Sequence, residues 1–359
     1  MDKKKILILG IILGVLAFGI LVKSWVRSTQ DTALPAQGEG VVLAEFDPSK
    51  IERILIERPR IQADLTQPST DQDLQTVSAE LVKEKGVWKV KSLWSVPADP
   101  AKIEGFLKKL HTVRGELRGT GKELFPDFGI DEKEAFSMKL FESKENPTFE
   151  ILIGTKQAGS TGFFIRRPSS EEVYLVDLDM VEILGMNDDA EPAVPSSGFW
   201  ADLRLFKLDS EKVTRITVFQ MKKDTKFMVA GLERKIDPKD PAQSSWKFLS
   251  KEMTFPLDPA KVSRFIAVMN SLRAEKVMDP LGKEYGLEKP FWQLAVTEGT
   301  KKTILNAGVE DEKEGRRFVS RAGDPTIFAL QSPFFEDLSV DDTHFVKEMA
   351  PDNEVQETA

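Results

Sequence analysis

Hydrophobic positions recur in the same order twice along this chain. An Asp-Pro-Ala-Lys motif begins at Asp99 and again at Asp258, and apolar side chains follow each copy at helical spacing. Each Asp is placed to cap a helix, and each Pro takes the first helical position, where its missing N–H costs no hydrogen bond. The two apolar stripes are Ile103, Phe106, Leu107, Leu110 and Val113, and Val262, Phe265, Ile266, Met269 and Leu272. The pattern predicts one amphipathic helix, built twice.

Strand-like patterns surround both helices in the same order. Apolar residues alternate at Ile54 and Ile56, and again at Ile216 and Val218, which is typical of half-buried strands. Further along, strand–turn–strand patterns also match, while loops differ in length, as expected when two copies share a core. We therefore predict an α+β fold: two tandem copies of a mixed sheet-plus-helix domain, preceded by a single transmembrane helix.

The repeat pattern sets the predicted domain boundaries in the 359-residue chain. The first repeat domain covers residues 41–184 and the second covers residues 199–340. A polar segment, residues 28–40, precedes the first domain, and an acidic, Pro-containing segment, residues 185–198, joins the two. The acidic residues 341–359 are predicted to be a disordered tail.

The N-terminal residues 1–27 have the pattern of a membrane anchor. Residues 6–22 are an uncharged run of 17, almost all apolar, and three lysines at positions 3–5 precede it. With the flanking residues, 6–26 reach the length needed to span a bilayer. Within the run, Gly10 and Gly14 have the G-x-x-x-G spacing that lets two membrane helices approach closely, although chance spacing is the simpler interpretation.

The alternative interpretation of this N-terminus is a cleaved signal peptide, which also combines a basic start with an apolar run. The residues after the run, Lys-Ser-Trp-Val-Arg, lack the small side chains that a cleavage site requires. The sequence therefore favours a retained anchor. The positive-inside rule then places the N-terminus in the cytoplasm and the bulk of the chain outside it.

Composition narrows the possible partners and chemistry. The net charge of −8 argues against a nucleic-acid partner, because such proteins concentrate Lys and Arg on one surface. The chain contains no cysteine, which excludes disulfides, thiolate metal sites and a cysteine nucleophile. A body without thiols also suits an oxidising compartment outside the cytoplasm.

Nothing in the sequence reaches the level of a catalytic or cofactor signature. The two histidines, His111 and His344, do not form a pair with metal-ligand spacing. The glycines of residues 115–123 miss the phosphate-loop spacing, and the acidic segments 187–191 and 310–314 lack the order of a calcium loop. We therefore expect no catalytic residues, no metal site and no cofactor, and a protein that is not an enzyme.

One tryptophan is the best candidate for an interaction surface. Trp88 and Trp246 occupy matched positions in the two repeats, which favours a packing role. Trp94 has no tryptophan counterpart, since Thr254 takes that place in the second copy. An unmatched Trp is free to be specialised for binding, so we predict that Trp94 lies on a contact surface.

Several of these motifs together resemble the bacterial family called domain of unknown function 4340. The resemblance rests on the apolar anchor, on "GVWKV" followed by "VPADPAKIEGFLKKL", on the turns at Phe128 and Tyr285, and on "FWADLRLFKLDSEKVTRI" opening the second copy. It covers nearly all of residues 41–340. Members of that family are often encoded beside a gliding-motility-type ABC transport system and its auxiliary membrane protein. The resemblance implies a bacterial inner-membrane anchor with the bulk of the chain in the periplasm, and it assigns no catalytic residues to this sequence.

The anchor, the missing catalytic set and the resemblance predict a non-enzymatic accessory subunit. It would belong to an ABC-type transport or envelope complex, act through its periplasm-facing repeats, and have an inner-membrane partner such as a permease or auxiliary subunit. The alternative is a periplasmic module that binds a ligand or an envelope polymer in the cleft between the two repeats.

Overall fold

The computed structural model describes residues 40–58, 77–132, 135–143, 145–159, 161–187, 194–223, 225–235, 245–282 and 284–348. The predicted anchor, with Gly10 and Gly14, lies outside these residues. Among the described residues, no helix is long and apolar enough to cross a membrane.

Strands make up most of the regular structure. They are β1 (Val41–Val42), β2 (Arg53–Arg58), β3 (Val77–Glu84), β4 (Val87–Val90), β5 (Val96–Pro97), β6 (Arg114–Thr120), β7 (Phe136–Phe141), β8 (Phe149–Lys156), β9 (Phe163–Arg166), β10 (Glu172–Val176), β11 (Met186–Asn187), β12 (Val194–Pro195), β13 (Val213–Lys222), β14 (Thr225–Lys235), β15 (Ser245–Phe248), β16 (Lys276–Met278), β17 (Trp292–Glu298), β18 (Lys301–Asp311), β19 (Arg316–Arg321) and β20 (Ile327–Gln331).

The helices are few and mostly short. They are α1 (Pro100–His111), α2 (Phe125–Phe128), α3 (Met180–Leu184), α4 (Ser197–Trp200), α5 (Pro259–Ser271) and α6 (Ser332–Glu336), with 3₁₀ turns at Pro48–Lys50, Lys122–Leu124 and Asp342–Phe345. The α+β expectation therefore holds only in its coarser form: two sheets, each with one long helix.

The two large sheets have the same strand order. The first runs β1-β6-β10-β9-β8-β7-β2-β3-β4-β5, and the second runs β16-β20-β19-β18-β17-β13-β14-β15. Each neighbouring pair is antiparallel, so neither is a mixed sheet. Read from β6 and from β16, eight strands correspond one to one. The predicted internal repeat is thus present in the topology.

Both long helices begin and pack as their sequence predicts. The Oδ1 atom of Asp99 accepts a hydrogen bond from Ala101 N at 3.1 Å, and that of Asp258 accepts one from Ala260 N at 2.8 Å. All ten residues of the two apolar stripes are buried, at 7% exposure or less. They join one continuous hydrophobic core that runs through both repeats.

Matched glycines fix the turns that follow the helices. Gly129 and Gly286 adopt the left-handed backbone, at φ 61° and 68°, which suits glycine best. Gly154 and Gly308 lie against the carbonyl oxygens that precede those turns. A Cβ atom there would come within 2.1 Å of one oxygen and 1.9 Å of the other. The side-chain-free position is therefore required twice.

Each repeat ends in a short turn that packs an aromatic ring on the long helix. The rings of Trp200 and Phe106 lie 5.4 Å apart at 75°, and those of Phe345 and Phe265 lie 5.4 Å apart at 80°. Trp200 and Phe345 are fully buried. Their carbonyl oxygens accept hydrogen bonds, both of 2.8 Å, from the backbone N–H of the Asp that caps each helix.

These closing turns bear on two predicted boundaries. Trp200 and Ala201, at the predicted start of the second repeat, pack on the first repeat. The prediction of a disordered tail from residue 341 is wrong for residues 342–348, because Phe345 completes the core of the second repeat. In the predicted linker, β11 pairs with β12; residues 188–193, and residues 349–359 of the tail, lie outside the described residues.

Candidate functional site

A cleft of about 420 Å³ lies between the two repeats. The first repeat contributes the edge wall, formed by Lys89 and residues 94–97, at the β4–β5 end of its sheet. The second repeat contributes the loop wall, formed by Val277, Met278, Pro280 and residues 323–327. Three prolines and Trp94 make much of the lining apolar, with a few polar groups among them, which is the usual character of a binding site.

Trp94 is held in this cleft by an unusual backbone. Trp94 and Ser95 have φ angles of 48° and 57°, in the left-handed region that side chains other than glycine seldom occupy. Hydrogen bonds from Leu93 N to Val90 O and from Val96 N to Leu93 O, both 3.1 Å, form the turns that hold the pair. Backbone strain of this kind concentrates at binding and active sites. The Trp94 side chain remains 48% exposed.

The second repeat has no equivalent of this turn. Counting back from the two capping residues, Asp99 and Asp258, places Met253 opposite Trp94, so the alignment of Trp94 with Thr254 was one residue off. Phe255 then corresponds to Val96. Phe255 is 57% exposed, whereas Val96 is 5% exposed. The strand β5 pairs with β4 in the first repeat, whereas the described residues 253–256 of the second repeat form no strand.

The loop wall is stiffened by a half-buried ion pair. Arg321 donates to Asp324 Oδ2 from Nη2 at 2.7 Å and from Nε at 3.1 Å, and Thr326 N donates to Oδ1 at 2.9 Å. Burial opposes ionisation of Asp324, but the hydrogen bonds from Thr326 and the charge of Arg321 outweigh it, and the pKa is lowered. Arg321 also donates to the Arg204 carbonyl at 3.2 Å, where the second repeat begins.

A second ionic cluster joins the two repeats behind the cleft. The buried Asp202 accepts from Arg204 Nε at 2.7 Å and pairs with Lys207. Burial by itself raises the pKa of Asp202, but hydrogen bonds from Arg204 and Lys207 outweigh it and lower the pKa to about 2. Arg204 also lies 3.6 Å from Asp99, the cap of α1. The junction thus couples the helix of the first repeat to the start of the second.

The histidines have packing roles. His111 stacks edge-on against Phe46, with ring centroids 5.6 Å apart. Its counterpart Asn270 takes the same place by bonding both the N–H and the carbonyl of Leu208. His344 contacts the ring of Phe345 at 4.9 Å, and burial lowers its pKa. The cleft walls contain neither histidine.

Acidic residues outside the cleft pair with arginines. Glu310 pairs with Arg317, and Glu314 lies 3.0 Å from Arg316. The described residues contain no cluster of three or more His, Asp or Glu side chains arranged to hold a metal ion. The carboxylates of residues 310–314 therefore support their own hairpin.

The other tryptophans differ in burial. Trp200 and Trp292 are fully buried and Trp88 is 8% exposed, in agreement with a core role. Trp246, the counterpart of Trp88, is only half-buried and lines a surface groove beside α5. The prediction of core packing, made from the matched positions of these two tryptophans in the repeats, is therefore confirmed for Trp88 and only partly for Trp246.

The sequence predicts a contact surface at Trp94 but gives no indication of the residues opposite it. Residues 323–327 look like an ordinary Gly-Asp-Pro turn, and Asp202 looks like one acidic residue among many. No local sequence signal marks the loop wall, because it is defined by the place of β16 and β20 at one end of the sheet order, and that order depends on long-range strand pairing.

Comparison with known protein families assigns the chain to one of them. The family model for the domain of unknown function DUF4340 matches residues 88–245 and 246–349. These two tandem segments cover more than half of the chain, which therefore belongs to this family. Both matched segments begin at a counterpart tryptophan, Trp88 or Trp246. No curated protein and no solved structure matches the chain.

Proposed function

We propose that this protein is a non-enzymatic, membrane-anchored accessory subunit of an ABC-type transport or envelope complex. It binds an inner-membrane partner, such as a permease or auxiliary subunit, through the cleft between its repeats. The observation that carries this proposal is Trp94: a half-exposed tryptophan, held on a strained backbone, at the edge of that cleft.

Physical arguments favour Trp94 as a contact residue. Tryptophan is enriched among the residues that dominate binding energy at protein interfaces. Holding two consecutive residues in the left-handed region costs of the order of 1–3 kcal/mol each, a cost that persists where it serves a site. The ion pair of Arg321 and Asp324 keeps the facing wall in one conformation, so less order is lost when a partner binds.

The proposed location rests on the sequence of the N-terminus. The apolar residues 6–22 and the lysines at 3–5 support a single-pass anchor with a cytoplasmic N-terminus and periplasmic repeats. External protease added to spheroplasts would then digest the repeats. A protected body, or a mature N-terminus beginning after Val22, contradicts this location.

A binding role is also supported by the chemistry around the cleft. Its ionisable residues, Asp324 and Lys89, are held in ion pairs with Arg321 and Glu84. Both histidines contact aromatic rings elsewhere. A general acid or base free to move a proton is therefore missing from the two walls as described.

A pull-down of the full chain from detergent extracts tests the proposal. We expect a membrane permease or its auxiliary subunit to co-purify with the wild-type chain and to be depleted from the Trp94→Ala variant. Met253→Ala is the matched control, because Met253 takes the same place in the second repeat. Turnover of a substrate by the isolated chain would contradict the accessory role.

The second candidate is a module that binds a ligand or an envelope polymer in the same cleft. The volume of about 420 Å³ favours it, since this falls within the range of small-molecule sites. The pull-down separates the two: a polymer-binding module sediments with cell-wall material, whereas an accessory subunit leaves with its membrane partner.

A further inference from the structure

The cleft joins two different faces of the same repeated fold. The edge wall belongs to the first repeat and the loop wall to the second. Since both repeats have the same strand order, each carries a version of both faces. Only one face of each repeat is used inside the chain, so the second repeat retains an unused edge face and the first an unused loop face.

The unused edge face lies on the second repeat, around Met253–Pro256 and Lys247. Phe255, the counterpart of the 5% exposed Val96, is 57% exposed here because no β5-like strand forms and no second wall covers it. Lys247 corresponds to Lys89 of the edge wall, and Lys251 adds a further exposed positive charge. The face is therefore apolar at its centre and flanked by lysines, although Lys247 pairs with Glu233 at 3.1 Å and Glu252 also lies beside it.

The unused loop face lies on the first repeat, at residues 169–173 and the adjoining part of β6. These residues correspond to 323–327 of the loop wall. Glu171 and Glu172 are exposed there, in place of Pro325 and Thr326, and Leu117 on β6 is 50% exposed. The face is thus acidic with an apolar neighbour, although Lys122 lies 3.7 Å from Glu171.

We propose that the edge face of the second repeat docks on the loop face of the first repeat of another copy of this chain. Within the chain, the edge wall of the first repeat already faces the loop wall of the second, and the proposed contact repeats this arrangement between copies. It also brings lysines on one face opposite glutamates on the other. Because the two faces differ, the contact is head-to-tail and does not close by two-fold symmetry, so it extends into chains of copies. This inference stands apart from the proposed partner in the cleft.

Single-cysteine crosslinking tests the contact, because the natural chain has no cysteine. One full-length copy carries Phe255→Cys and another carries Ser169→Cys, which corresponds to Gly323 of the loop wall. On mild oxidation in detergent, we expect the mixture to form disulfide-linked dimers at least fivefold more than either copy alone. A control copy with Val309→Cys, at a site 47% exposed, replaces Phe255→Cys.

The outcomes separate the possibilities. Equal crosslinking with Val309→Cys means random collision and overturns the proposal. Preferential Phe255→Cys self-crosslinking means a two-fold dimer and also overturns it. No crosslinking, with a monomer by light scattering at all concentrations, overturns it as well.

A charge exchange gives an independent readout. Lys247→Glu or Glu171→Lys alone should weaken self-association by about tenfold in sedimentation. The double variant should recover most of the wild-type association, because the attraction is restored with its signs reversed. Failure of the double variant to recover, while it keeps the wild-type melting temperature, counts against the assigned faces.

Discussion

The segments that precede the two long helices differ between the repeats in backbone, pairing and burial. In the first repeat, residues 94–97 form a strained turn and a strand, and they line the cleft. In the second, residues 253–256 pair with no strand, and Phe255 is exposed. A few residues later the two repeats match again at the capping residues, Asp99 and Asp258. Duplication has thus kept the elements that hold the core and left the sheet edge free to change.

The junction shows the same division. Asp202 follows the closing turn of the first repeat, and the corresponding residue in the second is Lys347. Pro97 O accepts from Asp202 N at 2.9 Å, and Pro256 O accepts from Lys347 N at 2.8 Å, so the backbone contact is common to both. Only the side chains differ, and only Asp202 holds Arg204 and Lys207. The backbone hydrogen bonds that both repeats share belong to the common fold, whereas the side chains that differ form the junction between the repeats.

The largest effect is expected from removing the closing aromatic rings. Trp200→Ala and Phe345→Ala should each reduce the free energy of unfolding by about 3–5 kcal/mol, because each empties a fully buried site on a long helix. Urea denaturation of the two variants measures this. Phe255→Ala, at an exposed site, is the control and should change stability by less than about 0.5 kcal/mol. A small cost for Phe345→Ala alone would mean that the second repeat does not need its closing turn.

The junction carboxylate should make stability depend on acid. The pKa of Asp202 in the folded protein, about 2, lies below its unfolded value, so its contribution is complete above pH 4 or so and is lost as the pH falls towards 2. The shift is equivalent to roughly 2–3 kcal/mol at neutral pH. Urea unfolding of the wild type and Asp202→Asn at several pH values measures it.

The difference between these two proteins should shrink as the pH falls from 4 to 2. Lys347→Ala is the matched control in the second repeat and should give a difference that is independent of pH over this range. A constant difference for Asp202→Asn would show that the carboxylate is not held ionised by Arg204 and Lys207.

The helix caps should contribute less, and nearly equally. Asp99→Ala and Asp258→Ala should each cost about 0.5–2 kcal/mol, the usual loss for a capping side chain. Asp99 should lie at the upper end, because it also faces Arg204. Thermal unfolding, with Glu104→Ala on the exposed side of α1 as the control, measures both. Unequal costs in the opposite order would contradict the account of the junction.

The smallest effect concerns the strain at Trp94. Trp94→Gly and Trp94→Ala remove the same ring, but only glycine adopts a φ of 48° without cost. We therefore expect the glycine variant to be more stable than the alanine variant by about 1 kcal/mol. In the second repeat, Met253→Gly and Met253→Ala should show no such preference for glycine. Equal stabilities at Trp94 would mean that its backbone is not strained.

The parts of the fold that could be predicted from the sequence are those with a periodic pattern of apolar residues or a recurring motif. The apolar stripes, the capping Asp residues and the strand–turn pattern predicted both long helices and the repeated sheet. The closing turns were missed because four residues are too few to show a period, and Trp200 looked like the start of the next repeat. Sheet order could not be predicted, since strand pairing depends on contacts far apart in the chain.

Part of the candidate site can be predicted from the sequence, namely Trp94 on the edge wall, and the loop wall cannot. Comparing the copies identified Trp94 as unmatched, and the cleft between the repeats was named as an alternative site. That Trp94 lies in this cleft depends on how the two repeats pack together, and no local sequence pattern specifies that packing. The lowered pKa of Asp202 likewise results from its hydrogen bonds with Arg204 and Lys207, which outweigh burial, and the approach of these residues is set by the junction.

The most direct test of the central claim compares partner binding by Trp94→Gly and Met253→Gly in the full chain. Both should keep the wild-type melting temperature within a few degrees. Trp94→Gly should weaken co-purification of the membrane partner by about 30-fold, the equivalent of a 2 kcal/mol interface residue, and Met253→Gly should leave it unchanged. Unchanged co-purification with Trp94→Gly, or equal losses in both variants, would contradict the assignment of binding to the unmatched edge of the first repeat.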